Sequence, residues 1–160
     1  MKTERFASKT SVTVERSQTE LMGILRKHGV SKMAVLHEPG VAAIGFEAEG
    51  VRVRLEMSVP DSSSFWPGSP EEYPHGWKSW NKNKREGWCE AQSEQAARQR
   101  WRALVLVTKA KFEIIAEGIS TVQREFMADT ILPNGQRVEQ WLVPQMNKVL
   151  NGKMPPLLKA

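Results

Sequence analysis

Apolar and polar residues alternate without a break from Val51 to Val59. Val51, Val53, Leu55, Met57 and Val59 face one way, and Arg52, Arg54, Glu56 and Ser58 face the other. A period of two belongs to a strand with one buried face. Two neighbouring segments, KMAVLHE and VAAIGFEAE, read as further strands, and in the second Ala42, Ile44, Phe46 and Ala48 make the matching inner face. Pro39 followed by Gly40 suits a type II turn, and Glu49 followed by Gly50 suits a tight turn. The three segments predict an antiparallel meander with one face under helices and the other wet or against a partner.

The period changes to that of helices on either side. Ser17 and Glu20 have capping-box spacing. Leu21, Ile24, Leu25 and His28 then share a face, and Gly29 suits a left-handed helix end. A short amphipathic helix is expected from Ser17, preceded by a flexible arm over 1–16. After the meander, Pro60, Pro67, Pro70 and Pro74 exclude a regular helix or central strand, so 61–89 is expected to be a long loop. From about Glu90 to Glu117, Ala97, Trp101, Leu104, Thr108, Phe112 and Ile115 recur at helical spacing and form the stripe that would lie on the sheet. Gly118 ends that helix. Ser120 or Thr121 caps another through Met127, and ILPNGQRV suggests a small hairpin turning at Asn134 and Gly135. A last helix over 139–150 carries Trp141, Leu142 and Met146, with Pro144 expected to kink or restart it. The tail over 151–160 is expected to be extended. The fold class is α+β: an N-terminal helix, a three-stranded antiparallel meander, a long loop, a long helix packed on the sheet and a small C-terminal helical part. Residues 17–160 make one domain.

Composition supports this reading. The 160 residues are 40% hydrophobic and 26% charged, ordinary for a globular domain that folds alone or with copies of itself. Lys and Arg outnumber Asp and Glu by 23 to 18, which suits a polyanionic partner without requiring one. The single cysteine, Cys89, can form no intramolecular disulfide and reads as a passive residue near a helix start. No apolar run marks a signal peptide or a membrane span, so a cytoplasmic location and no membrane partner are expected.

Catalytic patterns are missing: there is no glycine-rich phosphate loop, G-x-S-x-G elbow, H-E-x-x-H or cysteine pair. His28, His37 and His75 have no ligand spacing. Glu47, Glu49 and Glu56 are candidates for a nuclease-like carboxylate set on the outer sheet face. Arg52 and Arg54, however, alternate with Glu56 as cross-strand partners do, which favours a solvated mixed-charge face. No enzymatic activity, metal or cofactor is expected.

The unusual stretch is WPGSPEEYPHGWKSWNKNKREGW, which holds four of the six tryptophans in a segment without a core pattern. Its second half interleaves Trp77, Lys78, Trp80, Lys82, Lys84, Arg85 and Trp88. Rings that stack on unpaired bases and cations that follow phosphates are what holds single-stranded nucleic acid. On the following helix, Arg98, Arg102 and Lys109 point within about 40 degrees of one another and extend the same surface. Two other uses stay open for such tryptophans: packing the loop onto its own domain, or gripping another subunit. The helix cations have an alternative as well, lying over their own hydrophobic edge.

VTVERSQTELMGILRKHGVSKMAV and RQRWRALVLVTKAKFEIIAEGISTVQREFMADTILPNGQRVEQWL resemble a widespread family of small proteins encoded by bacteriophages and prophages, most specifically in R-W-R-A-L and L-P-N-G-x-x-V-x-x-W-L. In shape alone, a three-strand meander followed by a long helix is similar to the core of the single-strand annealing proteins of phage recombination. That resemblance implies rings or filaments that bind DNA along a basic groove. The resulting expectation is a non-enzymatic, oligomeric phage protein that binds single-stranded DNA and helps recombination or replication by annealing or protecting strands. The alternative is an oligomeric factor that binds a host or phage protein, such as an inhibitor of a host defence system.

Overall fold

The alternating segments form the strands they predict. In the computed structural model, which describes residues 7, 9–38 and 40–150, they are β1 (Lys32–Glu38), β2 (Val41–Ala48) and β3 (Val51–Ser58). They make one antiparallel sheet in the order β1-β2-β3. Val35 pairs with Ile44 and Ile44 with Leu55, so the inner residues of all three strands stand side by side. Glu49 and Gly50 both have positive φ, 49° and 76°, as the tight turn between β2 and β3 requires. Of the turn expected at Pro39 and Gly40, Pro39 lies outside the described residues, as does the tail over 151–160.

Two helices cover the inner sheet face. The first, α1 (Val14–Lys27), begins three residues before the expected Ser17. Thr13 is the cap, its hydroxyl accepting from the Arg16 amide at 3.2 Å. Ser17 sits one turn inside, fully buried, and donates to the Thr13 carbonyl. The extra turn lets Val14 pack against the core, a gain that the capping-box spacing does not register. Leu21 and Leu25 are fully buried, and His28 stacks on Phe112 with centroids 5.1 Å apart.

The second, α2 (Lys82–Ala116), is 35 residues long and lays Ala97, Trp101, Val105, Thr108 and Phe112 against the sheet. Spacings of four, four, three and four keep that line on one side of a 3.6-residue helix. Val105 is buried where Leu104 was expected, and Leu104 and Ile115 lie half-buried at the margins. At the far end, α3 (Val122–Glu125) is capped by Thr121, whose hydroxyl accepts from the Arg124 amide. It inserts Val122 and Phe126 into the core, where Phe126 meets Phe46 and Phe112 at 5.4 Å. Lys111 bonds the Glu125 carbonyl and lies 4.8 Å over the Phe126 ring, locking α3 to α2.

Thr130 and Ile131 then run along the outer edge of β3, with the Ile131 amide bonded to the Arg52 carbonyl at 2.8 Å. The turn at Asn134 and Gly135 closes through the Leu132 amide and the Gln136 carbonyl. It leads into α4 (Val138–Val149), a single helix that holds Pro144 without restarting. None of its residues is buried, so water can serve the Gln140 carbonyl that proline leaves unbonded. No helix among the described residues is long and apolar enough to cross a membrane.

Candidate nucleic-acid interface

The last eight residues of the expected loop, 82–89, are helix. Asn81 accepts from the Lys84 amide at 2.9 Å and starts α2 at Lys82, so Lys82, Lys84, Arg85 and Trp88 ride on its first two turns. The run NKNKREG has no apolar period, and only the capping role of Asn81 signals the helix. The remainder is ordered too, through 3-10 turns at Ser62–Phe65, Pro70–Glu72 and Trp77–Ser79. Asp61 nucleates the first by accepting from Ser63 and Ser64, which holds its carboxyl below the usual range. The Ser93 hydroxyl donates to the Pro60 carbonyl at 2.7 Å and pins the segment's start to α2.

Trp77 is the centre of this segment and is only 4% exposed. Four aromatic rings surround it: Trp66 edge-on at 5.2 Å, Trp80 and Trp88 at 5.6 Å, and Tyr73 at 6.1 Å. Arg85 closes the arrangement with its guanidinium 5.4 Å from the Trp77 ring centre. It also donates to the Trp77 carbonyl at 3.2 Å and the Lys78 carbonyl at 3.3 Å. Gly76 makes the bend with φ of 80°, and a Cβ there would lie 3.0 Å from Trp80 Nε1. The tryptophans therefore form a small core at the head of α2. Trp77 has no free face for a base, and Arg85 is spent on the knot itself.

Other members of the expected set remain outside. Trp80 and Trp88 are half-buried, and Lys78, Lys82 and Lys84 are exposed. Lys84 holds its ammonium 4.7 Å over Trp80, while Lys82 lies 3.7 Å from Glu86. Trp66, from the first half of the stretch, is 49% exposed and packs edge-on against Trp77. Its clue in the sequence was its aromatic character alone.

The cations of α2 have a different setting. By helical geometry Lys84, Arg98, Arg102 and Lys109 lie on one side and span about 37 Å. Their lower part is the seam between α1 and α2, where carboxylates meet them: Arg102 bonds Glu20 at 2.5 Å and Arg98 lies 3.4 Å from Glu94. Lys109 lines a shallow pocket with Lys27, Glu20 and Glu113. The expected continuous basic surface is thus interrupted by Glu20 from α1, far away in sequence, and by Glu94 and Glu113 from α2 itself.

The outer sheet face matches its mixed-charge expectation. Glu47 accepts from Lys32 at 3.1 Å and from Arg52 at 3.4 Å, and the Lys32 bond leads in holding its carboxyl below the usual range. Glu56 lies 3.4 Å from Arg54. No group of three or more metal-binding side chains stands together among the described residues. Compared with protein-family models, curated proteins and solved structures, the chain finds no match in any of the three.

Proposed function

We propose that this protein binds single-stranded nucleic acid at the head of α2, acting without catalysis in the strand-binding or annealing role of a phage recombination or replication protein. The observation that carries the reading is the arrangement around Trp80, with Lys78, Lys82 and Lys84 exposed beside it and Lys84 resting on its ring. A base stacking on Trp80 takes the place of that ammonium and frees Lys84 for the adjoining phosphate. Stacking of this kind contributes about 1 to 3 kcal/mol per base and is indifferent to sequence. Trp66 offers a second ring, and Trp77 holds both in position from beneath.

The test is titration with a single-stranded oligonucleotide while tryptophan emission and the salt dependence of binding are followed. The wild type is expected to be quenched. Replacing Lys78, Lys82 and Lys84 by alanine is expected to flatten the slope of log K against log salt by about 2, at about 0.7 per phosphate contact. Absence of binding at about 50 mM salt removes the reading.

A protein-binding role draws on a separate observation. Trp141, Val143, Met146 and Val149 are all exposed on α4, as is Leu150 at its end. Such a factor would lose its assembly on Trp141→Glu while its behaviour toward nucleic acid stayed the same.

A further inference from the structure

The sheet has two edges, and they are treated differently. Thr130 and Ile131 cover the edge of β3, whereas β1 bonds only to β2 among the described residues. Its register runs through seven consecutive pairs with no bulge, and the middle residues Ala34, Val35 and Leu36 carry no charge. Leu36 is 44% exposed. Edge strands that stay single are usually blunted by a bulge, a proline or a central charge.

The direction of the free peptide groups follows from the hydrogen bonds. The Val59 amide donates to the Gly40 carbonyl at 2.9 Å, so the odd-numbered residues of β3 bond the even-numbered residues of β2. The Ile131 bond to the Arg52 carbonyl agrees, because Arg52 is turned away from β2. In an extended strand these directions alternate. Val41, Ala43, Gly45 and Glu47 therefore bond Glu38, Leu36, Ala34 and Lys32. Met33 and Val35 are left with their amides and carbonyls turned away from β2 and unbonded among the described residues.

We propose that the free edge of β1 pairs with the same edge of a second copy, joining two meanders into one six-stranded antiparallel sheet. A two-fold axis at Val35 places that residue opposite itself in a hydrogen-bonded pair, the only kind its outward groups can make. The same axis sets Lys32 opposite Glu38 of the second copy, and Ala34 opposite its Leu36, twice each on the outer face. The strand is thus complementary to itself in charge and in size. Pairing buries the exposed Leu36 on the small Ala34 side chain, and it adds Glu38 to the Lys32 and Glu47 pair. Because the contact is isologous it closes at two copies and leaves no edge to propagate. It rests on β1 alone and stands apart from the nucleic-acid reading.

Two measurements test it. Light scattering of the eluting protein is expected to give twice the 18.1 kDa chain mass. Glu38→Lys, which sets like charges opposite Lys32, is expected to halve that mass. Val35→Pro is expected to halve it too and to remain folded, since the amide it removes has no partner among the described residues. Mixing an Ala34→Cys chain with a Leu36→Cys chain under mild oxidation is expected to link them. Directly opposed residues of a non-hydrogen-bonded pair lie about 4.5 Å apart at Cα, within disulfide reach. Ala34→Cys alone is expected to stay unlinked, being two residues out of register with itself. A monomeric wild type overturns the proposal. So does a dimer whose mass survives Glu38→Lys, or one whose mixed cysteine chains do not link.

Discussion

Arg85 lies across the buried ring of Trp77 and bonds its carbonyl, so one side chain on α2 fastens both the ring and the backbone of the turn preceding it. A cation and an aromatic that sequence alone offers to a nucleic acid are here each other's partner. Their energetic role is that of a small satellite core.

Trp77→Ala is accordingly expected to lower the free energy of unfolding by about 3 kcal/mol, the range for deleting a large buried aromatic. Chemical denaturation followed by circular dichroism measures it. The emission of Trp66, Trp80 and Trp88 should shift to the red in the same variant as their shared neighbour is lost. Unchanged stability would show that the knot contributes nothing to the fold.

Arg102→Ala tests the fate of the helix cations. With Arg102 already bonded to Glu20, its loss is expected to leave the salt dependence of oligonucleotide binding unaltered. Stability should fall by no more than about 1 kcal/mol, because both side chains keep some exposure to water. A clear drop in the salt slope would return Arg102 to the binding surface.

Thr108 is fully buried and its hydroxyl has no hydrogen-bond partner among the described residues. Valine has nearly the same shape, so Thr108→Val should raise the unfolding free energy by about 1 kcal/mol by removing an unsatisfied polar group. Differential scanning calorimetry decides it, and a lower Tm would mean that the hydroxyl is satisfied.

Cys89 is 2% exposed, and burial, reinforced by Glu86, pushes its thiol up from the ordinary value. The native protein is expected to resist a thiol reagent at neutral pH and to react fully once unfolded. Rapid labelling of the folded chain would contradict the burial.

Asp129 has the opposite balance from Glu47 and Asp61. Its burial pushes the carboxyl above the ordinary 3.8, outweighing the pull of Lys111 and Arg137. The folded state then holds a proton that the unfolded state has released, so this group's contribution to stability declines as pH rises from 3.8 through the raised value. Asp129→Asn removes that decline. The Tm difference, wild type minus variant, should therefore fall across the acidic range, and a difference that is flat or rises would refute it.

The three strands, the inner residues of the sheet and most of the α2 stripe were legible because their periods of 2 and 3.6 are local properties of the chain. Helix starts were less so. Thr13 and Asn81 each compete with nearby residues able to cap, and the winner depends on what the added turn buries, as Val14 does for α1.

The α+β order of elements, the antiparallel meander and the identity of the residues available at the head of α2 follow from local patterns along the chain. Which of those residues face water is set by how distant segments pack. Whether Trp77 is a platform or a core depends on Trp66, Tyr73, Trp80 and Trp88 converging on it. Whether Arg102 is free depends on Glu20, 82 residues away. Burial and charge pairing are relations between distant segments, and no pattern within a single window records them.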